Sequence, residues 1–465
     1  MSNFWDFNVW GPFNLMAVLL LSLLAANLLK KYIPGLEKSL IPSSVLGGGI
    51  LLVISSVYTP LTGKVLFDTA FFGGNGTAIL EVVTYHALAL GFIASTFKSG
   101  GGKMTKQRTV EIFNSGVTTV ATYLLQAILG MGVSIAAVFL LTDFNFPAAG
   151  VLLPFGYGQG TGQALNYGTI YEGLGFEGGK SFGLTVAALG FLSASIGGVI
   201  HLNILRRRGL VVRSAAADGR VMTEEVQSEG EIPMFGSMDK MTVQIAFIAG
   251  AYLLAFGLMY GLGLLLPGMK SVIFGFNFLL GVLAATLIKL VLNWLNKKQI
   301  IRRKQINDFL MTRASNCCFD VMVVAGIAVI RLDIVEKYWG ILAIMGVLGA
   351  VATFWYTRKV AVSLFPGYVE EQFLTTYGML TGTASTGVIL LREIDGRFET
   401  PAADNMVYQN FPAIIFGFPI MLLATLAPVK PMLTMLLLIL FFLVMNVILF
   451  RSLLFRRPAA AGKRS

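Results

Sequence analysis

The chain has 465 residues, of which 55% are hydrophobic and 13% are charged, and its formal net charge is +11. Soluble domains carry about 25% charged residues, so a soluble fold of this composition would expose too much apolar surface to water. The mean hydropathy of +0.75 therefore indicates a chain that folds in lipid. We expect no transition metal and no other cofactor, because metal-site spacing is absent from the cysteines and histidines, which are Cys317, Cys318, His86 and His201.

Apolar runs of about 20 residues, the length that spans a bilayer, recur along the chain. Eleven such runs predict an all-α polytopic membrane protein, and they lie at 12–29, 41–58, 79–97, 115–141, 182–205, 241–265, 271–295, 308–330, 337–357, 407–427 and 431–452. Two further regions, 146–176 and 373–392, are apolar but interrupted centrally by Gly, Thr and Ser. Broken backbone is tolerated at membrane depth only where protein or a water-filled cavity covers it. Each region is therefore typical of a re-entrant hairpin, which enters the membrane and returns to the same side.

The basic residues predict the orientation of the chain. If the N-terminus is outside and each run crosses once, the outside segments contain only Lys64, Lys180, Lys270, Arg331, Lys337 and Lys430. Apart from Lys289 and Arg313, which fall within spans, all other basic residues then lie inside. Cytoplasmic loops show this excess of Lys and Arg, and it would be lost if either interrupted region crossed completely. We therefore expect a cytoplasmic C-terminus and no nucleic-acid partner.

The order of elements repeats along the sequence. Four spans, an interrupted hairpin and a fifth span occur in 1–205 and again in 241–427. The first unit crosses five times, an odd number, so the second repeat is inverted relative to the first. The polar segment 206–240 is predicted to be a cytoplasmic linker, and 428–465 to hold an extra C-terminal span and a basic tail. Inverted repeats with broken elements in matching positions are typical of alternating-access transporters.

Short motifs in both halves resemble those of the bacterial glutamate–sodium symporter family. They are GYGQGTG at 156–162, YGMLTGTAST at 377–386, IP at 41–42 followed by VLGG at 45–48, and IGG at 196–198. The chain departs from the family where Tyr157 and Leu380 replace glycines, Gln159 a histidine and Ser385 a proline. The resemblance implies a sodium-coupled symporter of glutamate or a similar small carboxylated solute. It also implies a homodimer in the bacterial inner membrane, with the hairpins lining the site.

The hairpins supply most of the candidate substrate-binding residues. Broken helices bring free backbone N–H groups to mid-membrane, where they can bind an anion, and hydroxyls can add ligands for a cation or a carboxylate. The candidates are Gly158, Gln159, Gly160, Thr161 and Gly162 in the first hairpin, and Thr381, Gly382, Thr383, Ser385 and Thr386 in the second. The alternative is that the small residues only allow close helix packing, and that Ser and Thr bond to their own helix.

Three polar residues share one face of the span at 308–330. Arg313, Asn316 and Asp320 are spaced by three and four, which places them side by side on a helix. Asp320 lies near mid-membrane, where a carboxylate costs several kcal/mol unless it is compensated. We expect Asp320 and Asn316 to bind the coupling cation, which is sodium or, as the alternative, a proton, and Arg313 to bind a substrate carboxylate. The alternatives are a structural ion pair, or an Arg313 side chain that extends to the cytoplasm.

Other polar residues within spans are expected to form interhelical hydrogen bonds, namely His86, Asn277, Gln126, Gln409 and Asn410. Among these, His86 is an alternative proton relay and Asn410 an alternative cavity residue. Lys289 lies near an inner end and is expected to extend its amine to the surface.

Two other functional classes compete with a symporter. A passive channel would show no sodium-driven accumulation, and a proton-coupled carrier of another organic acid would depend on a proton gradient instead. An intramembrane enzyme is not expected, because the sequence has no H-E-x-x-H motif, no G-x-S-x-G elbow and no carboxylate–histidine cluster.

Overall fold

A computed structural model describes residues 3–38, 40–98, 105–141, 143–209, 231–234, 238–267, 270–275, 277–395 and 399–454 of the chain. The side chains at 37–38, 271–272, 333–334 and 385 lie outside this description. Within the described ranges all regular elements are helices, and one isolated bridge pairs Glu231 with Lys304. The predicted all-α class is therefore confirmed.

The described residues form nineteen α-helices. They are α1 (Phe7–Tyr32), α2 (Pro34–Lys38), α3 (Ser43–Thr62), α4 (Gly76–Phe97), α5 (Lys106–Leu140), α6 (Leu152–Tyr157), α7 (Gly160–Gly173), α8 (Gly179–Arg207), α9 (Lys240–Leu265), α10 (Lys270–Gly275), α11 (Asn277–Lys297), α12 (Asp308–Ala328), α13 (Leu332–Leu364), α14 (Val369–Thr381), α15 (Ala384–Arg392), α16 (Ala402–Tyr408), α17 (Asn410–Leu426), α18 (Pro431–Leu449) and α19 (Arg451–Leu454). Short 3₁₀ turns lie at Leu66–Asp68, Ala70–Phe72 and Pro147–Val151.

The number of spanning helices agrees with a polytopic membrane protein. Within the described residues, ten helices are long and apolar enough to cross a membrane. The predicted span at 407–427 is a bent pair instead, because α16 and α17 meet at an angle of 48°. If this pair is one span, the total is the eleven that the hydropathy of the sequence predicts.

The region predicted as the first hairpin is a pair of helices, α6 and α7, which we call the first helix pair. The break between them ends at Gly160, whose φ of +78° is a left-handed conformation that costs other residues free energy. The rings of Phe155 and Tyr167 stack with centroids 3.9 Å apart, which shows that the two helices fold back on each other.

The region predicted as the second hairpin is built in the same way from α14 and α15, the second helix pair. It begins a few residues earlier than predicted, at Val369. Its break consists of Gly382, with φ −143° and ψ −108°, and the extended Thr383. A Cβ on Gly378 would lie 2.9 Å from the Cα of Gly387. The backbones of α14 and α15 therefore touch, which only glycine allows.

The long unbroken helices α5 and α13 pack beside the two pairs. Helix α5 approaches the start of the first pair so closely that a Cβ on Gly130 would lie 2.1 Å from the Gly150 carbonyl oxygen. The extra helix α18 covers another face of α5 and buries Leu438 and Met445.

The end of the predicted linker is anchored to the helical body. Residues 210–230 and 235–237 of the linker lie outside the described residues. Lys240 and Glu231, whose side chains are 1% and 2% exposed, form an ion pair of 2.8 Å. Asn307, which caps α12, donates a hydrogen bond of 2.7 Å to the same Glu231 carboxylate. The last part of the linker thus packs at the start of α12.

Candidate functional site

The two helix pairs and α12 line one cavity of about 670 Å³. Each pair contributes the residues at its break, and α12 contributes the polar face that the sequence identified. The candidate residues in the lining are Gly158, Gln159, Gly382, Thr383, Arg313, Asn316 and Asp320. The structure thus brings candidate residues from both halves of the chain to one site.

The breaks of the two helix pairs are in direct contact. A Cβ added to Gly160 would lie 3.4 Å from Thr383 Cγ2 and 3.7 Å from the Gly382 carbonyl oxygen. Helix α12 packs against the first break, since a Cβ on Gly326 would lie 2.6 Å from the Cβ of Thr161. The missing side chain at residue 326 is what permits this approach.

The remaining candidates with described side chains are buried and do not line the cavity. Thr161 Oγ1 donates to the Met322 carbonyl at 3.3 Å, and Thr381 Oγ1 donates to the Tyr377 carbonyl of its own helix at 2.7 Å. Thr386 is 1% exposed, and its hydroxyl lies 3.5 Å from that of Thr383. The others in this group are Gly160 and Gly162, which are also buried. The side chain of Ser385 lies outside the described residues.

The charged face of α12 is open to the cavity. Arg313 is exposed, and its guanidinium lies over the Phe309 ring at 4.9 Å from the centroid. Within the described residues no ion pair joins Arg313 to Asp320, which is two turns further along the helix. A structural ion pair between the two, one alternative from the sequence, is therefore not formed.

Basic side chains outnumber acidic ones in the cavity wall. The charged members of the described lining are Lys30, Lys98, Arg313, Arg392 and Asp320. In the sequence, Lys30, Lys98 and Arg392 indicated only which loops face the cytoplasm. No local pattern reveals that the ends of α1, α4 and α15 converge on one cavity.

Helix α5 supplies two further residues that contact the breaks. Tyr123, which lines the cavity, donates a hydrogen bond of 3.0 Å to the Gly158 carbonyl. Gln126 donates from Nε2 to the Leu380 carbonyl and to Thr353 Oγ1, both at 2.9 Å. The sequence predicted an interhelical hydrogen bond for Gln126 but no role for Tyr123, because a tyrosine in an apolar run carries no distinguishing signal.

The other polar residues of the spans also bond between helices. Gln409, at the bend between α16 and α17, accepts hydrogen bonds from Ser115 at 2.8 Å and from Thr119 at 3.0 Å. The remaining bonds join His86 to Tyr252 at 2.6 Å, Asn277 to the Tyr85 carbonyl at 2.9 Å, and Lys289 to the Thr96 carbonyl at 3.1 Å. Asn410 lines the cavity.

An ion cluster anchors the start of the second helix pair. Both guanidinium nitrogens Nη1 and Nη2 of Arg358 lie 2.6 Å from the Glu370 carboxylate, and His201 Nε2 lies 2.7 Å from it. Burial opposes ionisation of this carboxyl, but the hydrogen bonds from His201 and Arg358 outweigh it and hold the pKa of Glu370 below its ordinary value. This cluster ties α14 to α8 and α13.

Comparison of the chain with protein-family models, with curated proteins and with solved structures finds no match. The resemblance to bacterial glutamate–sodium symporters therefore stays a prediction that rests on the motifs quoted above. The geometry of the cavity is the independent observation from which a function can be argued.

Proposed function

We propose that the protein is a secondary active symporter that couples sodium entry to the uptake of glutamate or a similar small carboxylated solute. The observation that carries this proposal is the meeting of two broken helix pairs, one from each half of the chain, at a cavity that also holds Asp320. In transporters, broken helices of this kind bind substrate and coupling ion near the middle of the membrane.

In this proposal both helix pairs are re-entrant and belong to two inverted repeats, 1–205 and 241–427. The back-folded geometry of each pair and the contact between their breaks support this arrangement. Two halves related in this way can exchange conformations, and the exchange would open the cavity to one side of the membrane and then to the other.

The substrate would bind as an anion at the amino ends of α7 and α15, the second helix of each pair. Thr383 and Ala384 line the cavity at the start of α15, where unpaired backbone N–H groups favour negative charge. Arg313 and the other basic lining residues add positive potential in a partly dehydrated space, where charge interactions are stronger than in water. Arg313 would bind a substrate carboxylate directly.

The coupling cation would bind at Asp320 with Asn316. A carboxylate on a membrane-spanning helix is costly by itself, and a bound cation would compensate it. Binding of the cation would in turn reduce repulsion between Asp320 and an anionic solute in the same cavity. Both ligands would therefore bind more tightly together than separately.

The cavity would face the cytoplasm in this conformation. Lys30, Lys98 and Arg392 line it, and each belongs to a segment that the charge distribution assigns to the inside. In this orientation the N-terminus is outside, the C-terminus is cytoplasmic, and the membrane is the bacterial inner membrane. We further propose a homodimer.

Uptake of labelled glutamate into proteoliposomes tests the proposal. We expect accumulation above the external concentration when sodium is imposed outside, and none when choline replaces it. Glutamate flux that only equilibrates would indicate the passive channel. Accumulation driven by a proton gradient alone would indicate the proton-coupled carrier, and failure of glutamate would direct the same assay to other organic acids.

A further inference from the structure

One wall of the cavity is almost entirely apolar. It is the cavity side of α16 and α17, where successive lining residues are one or three positions apart and therefore share one face. Asn410 is the only polar residue of this face among those described, and the small ones are alanine or glycine. We call this face the apolar stripe, and its large members are Met406, Val407, Ile414, Phe418 and Met421.

The neighbouring helices leave part of the apolar stripe uncovered. Val407 is 39% exposed and Phe418 is 38% exposed, and both line the cavity. Water that fills the cavity would wet these side chains, and apolar surface in water costs about 25 cal/mol per Å². A ligand with an apolar body would cover the stripe and so remove this cost.

A second apolar surface lines the same cavity. Phe92 of α4 packs against Phe278 of α11 and Phe319 of α12, with ring centroids 5.2 and 5.4 Å apart, and all three are lining residues. The cavity volume of about 670 Å³ lies within the range of roughly 300–1,000 Å³ that is typical of pockets for drug-sized ligands. Surface and volume therefore both fit a ligand with a larger apolar body than that of glutamate.

The charged lining residues lie elsewhere on the cavity wall. Lys30, Arg313 and Arg392 belong to α1, α12 and α15, Lys98 follows α4, and α16 and α17 contribute no charged residue to the described lining. An excess of basic side chains attracts an anion. Asp320 is the only carboxylate of the described lining, and in the proposed function it binds the coupling cation. An ammonium group on the solute would then have no carboxylate of its own.

We propose that the solute is a monocarboxylate with an apolar body and no ammonium group. Its carboxylate would bind among the basic residues and at the start of α15, and its body would lie on the apolar stripe. This narrows the class of carboxylated solute and rests on the proposed function, because it takes the cavity as the solute site. A second carboxylate would meet an uncharged apolar wall and lose its hydration without a partner.

Methionine side chains make this wall adaptable. Met406 and Met421 belong to the apolar stripe, and Met322 and Met379 also line the cavity. Met322 reaches the first break, since its Cε would lie 3.9 Å from a Cβ on Gly160. The unbranched thioether side chain adjusts to irregular shapes. We therefore expect the site to accept several acids, with straight, branched or aromatic bodies.

Thermal unfolding of the purified full chain in detergent compares two acids that have the same carbon chain. Hexanoate ends in a methyl group, whereas adipate ends in a second carboxylate. Each is titrated at pH 7 with the sodium concentration and the ionic strength held constant, and binding to the folded state raises Tm. We expect the half-maximal concentration of hexanoate to be at least about tenfold lower than that of adipate.

Two adjacent isoleucines provide matched variants. Ile414 lines the cavity, whereas Ile415 does not and is 58% exposed. Ile414→Ala removes apolar contacts with the solute, so it should raise the half-maximal concentration of hexanoate about tenfold. Ile415→Ala should leave that concentration unchanged. Val407→Thr keeps the shape of the side chain and adds a hydroxyl, so it should also weaken hexanoate binding and tests the stripe even if Ile414→Ala fails to fold.

Three results would overturn this assignment. The first is a wild type whose Tm does not respond to hexanoate. The second is adipate that binds as tightly as hexanoate, which would indicate a dicarboxylate held by several of the basic residues. The third is equal hexanoate binding in the wild type, Ile414→Ala and Val407→Thr.

The solute class and the symporter can fail separately. In proteoliposomes, symport of this solute predicts that an inward hexanoate gradient drives the entry of labelled sodium. Hexanoate binding that is weakened in Ile414→Ala but drives no sodium entry would support the solute class and reject the symporter. Sodium-driven accumulation of glutamate without hexanoate binding would reject the solute class and leave the symporter intact.

Discussion

Tyr123 and Gln126 lie one turn apart on α5, and each donates a hydrogen bond to the carboxyl end of the first helix of a different pair. Tyr123 Oη contacts the Gly158 carbonyl at 3.0 Å, and Gln126 Nε2 contacts the Leu380 carbonyl at 2.9 Å. One turn of an unbroken helix therefore holds both breaks. Because the breaks also touch each other, displacement of one changes the support of the other.

Removal of the Tyr123 hydroxyl should loosen the first break. We expect Tyr123→Phe to lower the free energy of unfolding by about 1 kcal/mol, because the buried Gly158 carbonyl loses its partner. In the uptake assay it should raise KM for the solute more than it lowers the maximal rate. The matched control is Tyr171→Phe, which removes a buried hydroxyl bound to the Ala424 carbonyl at 2.8 Å. A raised KM in that control as well would show that the effect is not specific to the break.

A side chain at Gly160 should strain the first break. The φ of +78° costs a residue with a Cβ roughly 1–2 kcal/mol, so Gly160→Ala should lower Tm by several degrees and reduce uptake. Gly173→Ala in the same helix is the control, since no atom lies within 4 Å of the added methyl and its φ is not positive. Equal Tm values for the two variants would contradict the argument.

Neutralisation of Asp320 should remove sodium dependence from transport. Asp320→Asn keeps the size of the side chain but loses the charge, so we expect sodium affinity to fall about tenfold or more and concentrative uptake to disappear. Asp308→Asn serves as control, because Asp308 lies at the start of the same helix and does not line the cavity. Sodium-driven accumulation that survives in Asp320→Asn would remove Asp320 from the cation site.

Replacement of Arg313 should weaken recognition of carboxylated solutes. Arg313→Gln removes a lining charge, so KM for glutamate should rise about tenfold, the equivalent of about 1.4 kcal/mol, with little change in Tm. The control is Arg206→Gln on α8, where the Arg206 side chain forms an exposed ion pair with Glu393. An unchanged KM in Arg313→Gln would favour the alternative in which Arg313 only reaches the cytoplasmic surface.

The ion cluster at Glu370 should make stability depend on acid pH. The lowered pKa of Glu370 means that its contribution is complete above the ordinary glutamate pKa of about 4.3. That contribution is lost as the pH falls through the lowered value. Glu370→Gln should therefore lower Tm at pH 7, and the difference from the wild type should shrink as the pH falls below about 4.3. Glu177→Gln, which removes a carboxylate that is 81% exposed, should show no such difference. A difference in Tm between Glu370→Gln and the wild type that does not change with pH would show that the effect is unrelated to ionisation of Glu370.

Local features of the fold were predictable because lipid imposes them locally. A helix that spans a bilayer satisfies its own backbone and needs an apolar run of fixed length, so hydropathy alone located the spans. The breaks were predictable in part, since glycine has a low helix propensity and 156–162 is rich in it. Glycine alone does not decide the matter, because Gly47, Gly48 and Gly49 lie within the unbroken helix α3. The bend at Gln409 was not predicted, although Pro412 has no N–H to donate to the Tyr408 carbonyl four residues earlier. Gln409 at the bend accepts hydrogen bonds from Ser115 and Thr119.

The composition of the site was only partly predictable. The spacing of Arg313, Asn316 and Asp320 placed them on one helical face, and that face does line the cavity. Thr161 and Thr381 were equally plausible candidates, yet both hydroxyls bond to backbone carbonyls and neither residue lines the cavity. Sequence cannot distinguish these cases, because a hydroxyl next to a break bonds to whichever acceptor the packing brings near.

The sequence by itself determined an all-helical membrane protein with two interrupted regions, because hydropathy and helix breaking are properties of neighbouring residues. Only the tertiary structure decided which residues meet at the cavity. The contact of Gly160 with Thr383 and the bond of Gln126 to Leu380 join distant parts of the chain. Such contacts depend on how whole helices pack, and helix packing is set by the shapes of both partners at once.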